Sequence, residues 1–341
     1  METRKIQEVS NGTFTVSLPK AWTTDHGFEA GMELRLYPHR DGTLVLRSSE
    51  ADVEWLHETT VDIDGRGADA VTRAVRTAHM VGFETITLNR NEPFTAAERE
   101  AIRSTVRELT GTDIISESPS EVTIKHLLDT SSFSVRQSII QLQYVVVSLL
   151  RDATEAFVDA AETPASVRAR AAEARRSVEM VTRHFSRSLV SYNELDELGV
   201  SRPELFAYYE IATHLETVIE QAVGIENTAT ELGDPPADDA VTDIYSIVDD
   251  VACAVDDAVT AVLNADLTKS HQARARCDAA AERLTLAEQR LYDESGSESV
   301  AAAVALANTL SQLRRTAECS RSMADIAAQT AIRTNNIDLY S

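Results

Sequence analysis

The chain has 341 residues with 32 basic and 55 acidic side chains, which gives a net charge of −23. This length favours two or three domains, and the acid excess excludes broad binding of nucleic acid by most of the surface, because carboxylates repel phosphate. No apolar run in the sequence approaches the roughly 20 residues that a membrane span requires, so we expect no membrane insertion.

The composition also indicates the compartment. The acid excess, an aromatic content of 5% and the scarcity of lysine are typical of a protein from a high-salt cytoplasm, where dissolved ions screen the repulsion between like charges. Cys253, Cys277 and Cys319 lie far apart and without metal-ligand spacing, so we expect reduced thiols. The first residues lack the pattern of a secretory leader, and we therefore expect a cytoplasmic location.

The first elements in the chain are short strands separated by turns. Strands are predicted at Thr13–Leu18, Met32–Tyr37 and Leu44–Arg47. Pro19 ends the first of them because proline has no N–H for the strand ladder, and a short amphipathic helical step then leads to Gly27. Asp41-Gly42 predicts a two-residue hairpin turn. A segment this short buries too little surface to fold alone. We therefore expect it to pair with a second copy.

This segment resembles a known family of DNA-binding modules. The pattern G-x-F-x-V-S-L-P-K-x-W, followed by H-G-F-x-x-G-M-E-L, resembles the AbrB/MazE/SpoVT swapped-hairpin family. The resemblance implies that two chains interlock into one small dimeric β-barrel that binds DNA. Arg4 falls on a DNA-contacting arginine of the family, Lys5 lies beside it, and Lys20 adds a charge at the Pro-Lys turn. The family's other arginine positions hold Thr15, Thr23 and Thr24.

The distribution of charge agrees with DNA contact at this end. Residues 1–50 carry six basic and seven acidic side chains, a net charge of −1. The remaining residues carry 26 basic and 48 acidic side chains, a net charge of −22. Any contact with a phosphate backbone is therefore predicted for residues 1–50.

A small α/β domain is predicted next, over residues 51–129. Strands are expected at 59–64, 84–88, 113–116 and 121–124, with helices at 68–81 and from Thr95 to near Gly111. Thr95 and Glu98 form a capping-box pattern, which marks the start of the second helix. The β-α-β-α-β-β order favours a split-βαβ domain.

Long helices follow from Ser131 onward. Apolar residues recur at three- and four-residue steps, which is typical of a helix packed on its neighbours, at Ile139, Leu142, Val146, Leu149 and Ala153. Thr163-Pro164 and Ser201-Arg202-Pro203 begin two more helices. After the break at Gly233–Pro236, three further helices are predicted near 238–263, 269–291 and 300–332. This repetition predicts duplicated three-helix bundles, at 130–234 and 235–341.

The third helix of each set carries a second resemblance. Leu215 to Val223 resembles the PhoU signature L-E-R-I-x-D-x-A-V, and Leu313 to Asp325 is a looser copy. Asp278 and Glu282, followed by Arg283-Leu284, match that family's D-x-x-x-D-R-L. The whole order of a multidomain α+β chain (AbrB-like, small α/β, PhoU-like) resembles archaeal phosphate-uptake regulators.

The PhoU resemblance implies a metal site on acidic helix faces. Carboxylates four residues apart share a helix face, and a bound cation relieves their repulsion. The candidate ligands for a divalent or ferric ion are Glu216, Glu220, Asp278, Glu282 and Glu318. Arginines stand where facing acids are expected, at Arg175, Arg176 and Arg314. Salt-bridged or solvated carboxylates are therefore the alternative to a metal.

Three functional hypotheses follow. The first is a DNA-binding transcriptional regulator of phosphate uptake, dimeric through residues 1–50, whose helical bundles sense phosphate status, a metal or a transporter. The second is an adaptor that binds a phosphate-transporter ATPase or a sensor kinase and does not bind DNA. The third is a toxin–antitoxin partner, which the long helical half disfavours. The histidines and serines form no catalytic pattern, so we do not expect an enzyme.

Overall fold

A computed structural model describes residues 3–9, 12–38, 42–48, 56–63, 67–159, 166–191, 193–232, 238–294 and 300–337. The chain divides into two units, Met1–Trp55 and Leu56–Ser341.

The first unit consists of two separate hairpins and one short helix. Its elements are β1 Gln7–Val9, β2 Thr13–Thr15, α1 Lys20–Asp25, β3 Leu34–Pro38 and β4 Leu44–Ser48. β1 pairs antiparallel with β2, and β3 pairs antiparallel with β4 in a second sheet. β2 ends at Thr15, earlier than the predicted Leu18.

The connection between β3 and β4 differs from the predicted two-residue turn. Pro38 lies opposite Leu44, so that residues 39–43 separate the paired strands. Pro38 ends β3 because it offers no N–H to extend the ladder. Asp41 itself lies outside the described residues, and Gly42 has a positive φ of 82°.

The first unit has no buried core among its described residues. Every side chain whose burial is described in residues 3–48 is at least partly exposed. Ile6, Phe14 and Leu36 are 71%, 68% and 57% exposed. Two short hairpins with exposed apolar side chains bury too little surface to be stable by themselves.

The second unit begins with an α/β part in the predicted order of elements. These are β5 Glu58–Asp62, α2 Ala68–Val81, β6 Thr85–Asn89, α3 Ala96–Glu108, β7 Thr112–Glu117 and β8 Glu121–His126. The sheet order is β5-β6-β8-β7, with β5 parallel to β6 and β8 antiparallel to both of its neighbours. The β6-α3-β7 connection therefore passes over β8, which is the split-βαβ arrangement. Val71, Val75, Ile86, Leu88 and Ile102 form the centre of its core.

The rest of the second unit is helical. Its helices are α4 Val135–Asp159, α5 Ser166–Ser188, α6 Asn193–Leu198, α7 Arg202–Leu232, α8 Asp238–Asn264, α9 Leu267–Glu294 and α10 Val300–Ile337. The predicted apolar stripe of α4 is buried, with Ile139, Val146 and Leu149 each at 0% exposure. The sequence reasoning missed α6, a helix too short for a periodic pattern. Thr163-Pro164 and Gly233–Pro236 lie outside the described residues.

The two sets of long helices share one core. α4, α5 and α7 pack together, as do α8, α9 and α10, and the sets meet where α7 contacts α10 and α4 contacts α8. Gly224 of α7 permits a close approach, since a Cβ there would lie 2.5 Å from the amide nitrogen of Gln312 on α10. Buried residues of α4, α5, α7, α8, α9 and α10 form one continuous cluster. None of the described helices combines the length and the apolar character needed to cross a bilayer.

Candidate functional site

The predicted DNA-contacting residues are on the surface of the first unit. Arg4 and Lys5 precede β1, and Lys20 is the first residue of α1, directly after Pro19. All three side chains are exposed. Exposed cations on a segment with a net charge close to zero are what phosphate contact requires.

The turn that carries Lys20 is held by an aromatic cluster. Trp22 stacks on Phe28 with ring centroids 4.9 Å apart, and it also contacts the ring of His26 at 4.9 Å. His26 Nδ1 lies 2.8 Å from the carbonyl oxygen of Trp22. These contacts fix the end of α1 and therefore the position from which Lys20 extends.

The threonines that stand where the AbrB/MazE/SpoVT pattern has arginines form hydrogen bonds within the first unit. Thr23 and Thr24 each donate a hydrogen bond from the side-chain hydroxyl to the carbonyl oxygen of Lys20, at 2.9 Å. Thr15 donates to the carbonyl oxygen of Gln7 at 3.4 Å, across the β1–β2 pair. The three hydroxyls therefore stabilise the module's own backbone.

The first predicted carboxylate pair lies on α7. Glu216 is half-buried and Glu220 is exposed. Burial raises the pKa of Glu216, the charge of Glu220 raises it further, and Arg175 opposes both effects. The charge of Glu216 also raises the pKa of Glu179 on α5, whose burial is the larger cause. Glu179, which the sequence reasoning did not select, is therefore the acidic neighbour of this pair from the facing helix.

The second predicted set consists of Asp278, Glu282 and Glu318, and two of these carboxylates form ion pairs with arginines. Asp278 on α9 accepts from Arg321 at 2.9 Å, and Glu318 on α10 pairs with Arg315 at 3.1 Å. Glu282 is exposed on α9. Arg314 on α10 binds Glu288 of α9, through Nε at 3.1 Å and through Nη2 at 2.8 Å.

Metal binding stays a prediction. Across the part of the chain that the structure describes, no group of three or more His, Cys, Asp or Glu side chains is placed to hold a metal ion. Asp278 and Glu318 have arginine partners, which agrees with the salt-bridged alternative for these two carboxylates.

A buried polar contact joins the α/β part to the helices. Arg183 on α5 donates through Nη1 to the carbonyl oxygen of His79 at 2.7 Å, and Arg187 donates through Nη1 to that of Gly82 at 2.8 Å. These carbonyls lie at the C-terminal end of α2, where the helix dipole favours a positive charge. Gly82 is required there, because its φ is 110° and a Cβ would lie 2.4 Å from Cγ of Arg187.

Glu194 of α6 completes this contact. Its Oε2 accepts from Arg187 Nε at 2.8 Å, and its Oε1 lies 2.6 Å from His184 Nδ1. The ring of His184 stacks on Phe133 at 4.5 Å. We call this contact the buried joint; its members are His79, Gly82, His126, Arg183, His184, Arg187 and Glu194.

The buried joint shifts the pKa values of its members. Burial lowers the pKa of His79 from 6.5 to about 2, and the nearby charge of Arg183 acts in the same direction. Burial and Arg183 likewise lower the pKa of His126 to about 3. Burial also lowers the pKa of Arg183 to about 10. For Glu194, burial acts to raise the pKa, but the hydrogen bond from His184 and the charge of Arg187 outweigh it and lower the pKa.

No spacing of residues in the sequence predicted the buried joint. Its members come from α2, β8, α5 and α6, and the arginines of α5 are more than 100 residues from the carbonyls that they bind. In the sequence, the histidines appeared only as isolated residues.

The chain is similar in structure to a solved protein, although its sequence matches no known family. No protein-family model matches this chain, and no curated protein matches it either. Among solved structures, the chain is similar to the crystal structure of PhoU from Pseudomonas aeruginosa, with 15% sequence identity and a TM-score of 0.45. The match covers 59% of this chain and 96% of that chain.

Proposed function

We propose that this protein is a DNA-binding transcriptional regulator of phosphate uptake, active as a homodimer. In this proposal the first unit binds DNA, and the helices of the second unit receive the signal. The observation that carries the DNA-binding part is the exposure of Arg4, Lys5 and Lys20 on the first unit. This unit is a pair of hairpins, and none of its described side chains is buried.

The exposed apolar side chains of the first unit support the homodimer. Ile6, Val9, Phe14 and Val16 come from β1, β2 and their flanks, and each is about half exposed or more. Burial of an apolar side chain of this size contributes roughly 1.5–3 kcal/mol. In this proposal, pairing of two copies covers these apolar side chains and leaves Lys20 of the Pro-Lys turn at the surface.

The charge difference along the chain supports binding of DNA through the first unit alone. Residues 1–50 have a net charge of −1, whereas the remainder has a net charge of −22. The remainder repels phosphate, so the duplex is held at the one segment where repulsion is weak.

The phosphate-uptake part of the proposal rests on the sequence resemblance of α7 to the PhoU signature. The apolar residues of that signature, Leu215, Val218, Ile219 and Ala222, are all fully buried. Of its two carboxylates, Glu216 is half-buried and Glu220 is exposed.

The experiment that tests DNA binding is a selection of duplexes from a random library by the full-length protein, followed by titration of the enriched duplex. We expect Arg4→Ala and Lys20→Ala each to weaken binding of all duplexes and to reduce the salt slope by about one. Lys125→Ala, which removes an exposed lysine from β8 of the second unit, is the matched control and leaves both quantities unchanged. If no sequence is enriched at any salt concentration, the proposal fails.

One observation favours the alternative of an adaptor that does not bind DNA. The family's arginines are replaced by Thr15, Thr23 and Thr24, whose hydroxyls bind backbone carbonyls of the module. Under this alternative the hairpins serve only to dimerise the chain, and a phosphate-transporter ATPase or a sensor kinase is the partner. Recovery of transporter subunits by the purified protein, together with no enriched duplex, establishes the adaptor over the regulator.

A further inference from the structure

The buried joint contains histidines whose ring nitrogens have no partner. Within the described residues, no hydrogen bond is made by either ring nitrogen of His79, by Nδ1 of His126 or by Nε2 of His184. His79 and His184 are 1% and 2% exposed, and the rings of His79 and His126 lie 5.7 Å apart. A buried polar atom without a partner destabilises the folded state by about 1–3 kcal/mol, so each of these unpaired nitrogens lowers the stability of the joint.

The negative charges around these rings are already paired with arginines, so an additional positive charge would have no counter-ion. The titratable and charged groups that face His79 and His126 come from each of the packed elements: Arg76 on α2, Glu84 before β6, Arg183, His184 and Arg187 on α5, and Glu194 on α6. Glu194 is bound by Arg187 and His184, and Glu84 lies 3.3 Å from Arg187. Arg76 binds Glu108 and Glu179. The carboxylates are therefore already matched by arginines, and a proton on either ring adds an uncompensated positive charge beside Arg183.

We propose that the buried joint is an acid-sensitive switch, which opens the contact between the α/β part and the helices when His79 and His126 take up protons. This inference concerns the regulation of the second unit and does not depend on DNA binding. The two elements that separate are the C-terminal end of α2 with β8, on one side, and the end of α5 with α6, on the other.

The packing of the second unit permits such an opening without global unfolding. The apolar cores of the α/β part and of the helices are two separate clusters of buried residues. Arg183 and Arg187 bind the end of α2 through buried polar contacts, and a partly buried ion pair joins Arg76 of α2 to Glu179 of α5. Opening exposes the joint to water and leaves each core intact.

The direction of the pH dependence follows from proton linkage. In the closed state the imidazoles of His79 and His126 are neutral, because their pKa values are about 2 and about 3, whereas an exposed imidazole has a pKa of 6.5. The open state therefore binds more protons below about pH 6.5, and acid favours it. Lowering the pH from about 7 to about 5.5 raises the opening constant about eightfold for each histidine. The lower pH is chosen to remain above the sequence pI of about 4.7.

Hydrogen–deuterium exchange of the full-length protein at these two pH values tests the proposal, after correction for the pH dependence of intrinsic exchange. We expect protection to fall at the lower pH in residues 76–84, 123–128 and 181–190, and to be retained in the α10 core at residues 305–324. Unchanged protection of the joint segments overturns the proposal. Simultaneous loss of protection in the α10 core also overturns it, because that result describes acid unfolding of the whole unit.

Variants identify the histidines as the cause. His79→Phe keeps an aromatic ring of similar volume but cannot be protonated, and we expect its pH response to be about eightfold smaller than that of the wild type. His79→Leu is the second variant, for the case that the larger ring does not pack, and we expect the same reduction. His271→Gln replaces an exposed histidine of α9 and keeps the full response. An unreduced response in both His79 variants contradicts the proposal.

Discussion

Replacement of Glu98 by glutamine is expected to destabilise the start of α3. Glu98 is 1% exposed and its carboxylate accepts four hydrogen bonds. Oε1 accepts from Gly67 N and Arg90 Nη1, each at 2.8 Å, and Oε2 accepts from the backbone and hydroxyl of Thr95, each at 2.9 Å. The amide of glutamine has an NH2 group in place of one carboxylate oxygen. This group is a donor, and it would face the donors that bind the oxygen in the native protein. Glu98→Gln therefore removes the charge and two of the four hydrogen bonds.

The pKa of Glu98 gives the size of the effect. The hydrogen bonds from Gly67 and Thr95 lower this pKa from 4.5 to about 2, and such a shift corresponds to about 3 kcal/mol. Because the neighbouring Gly67 and Thr95 are exposed to solvent, screening reduces the expected loss to about 2 kcal/mol. The carboxylate's contribution is fully present above about pH 4.5 and is lost as the pH falls towards 2, because the folded state holds its proton more weakly than the unfolded state.

The assay is native-state hydrogen exchange of residues 96–108, which measures the free energy of opening of α3. Glu100→Gln is the matched control on the same helix, since Glu100 is exposed and pairs with exposed Arg107 at 2.8 Å. Its expected effect is below about 0.5 kcal/mol. Equal effects of Glu98→Gln and Glu100→Gln would refute the reasoning, because they would show that the four buried hydrogen bonds add nothing.

Three further predictions concern the core, the buried joint and the dimer. Leu149→Ala, at a fully buried position of the helical core, should cost about 2–5 kcal/mol in urea unfolding, whereas Leu286→Ala, at a position that is 54% exposed, should cost less than about 1 kcal/mol; similar costs would contradict the assigned core. Arg187→Met leaves Glu194 buried with less compensation and should cost about 3 kcal/mol in thermal unfolding at neutral pH; an unchanged melting temperature would contradict the joint. Phe14→Ser should weaken self-association of the full-length chain in sedimentation equilibrium, and unaltered association would exclude Phe14 from the dimer contact.

Periodic patterns allowed most of the second unit to be predicted. The helix 68–81 and the capping box of Thr95 and Glu98 were predicted where the structure has them. The reason is that amphipathic periods and caps are local properties of the sequence. The long helices after residue 135 followed in the same way, because their buried stripes repeat every three to four residues.

Tertiary contacts between distant elements could not be predicted in this way. The sequence did not identify Glu288 as the partner of Arg314, because helix register across a packed pair depends on side-chain packing. The buried joint depends on Arg183 and Arg187 meeting the end of α2, a contact that no sequence period encodes. Glu98 was recognised as a cap, but its bonds from Gly67 and Arg90 became evident only in the folded arrangement.

Chromatin immunoprecipitation with sequencing, in cells grown with ample and with limiting phosphate, tests regulation through DNA most directly. We expect enrichment of a small set of promoters that includes genes for phosphate uptake, a change in occupancy between the two conditions, and loss of enrichment in the Arg4→Ala, Lys20→Ala double variant. Uniform coverage of the genome in both conditions, with the protein present at normal levels, would contradict regulation through DNA.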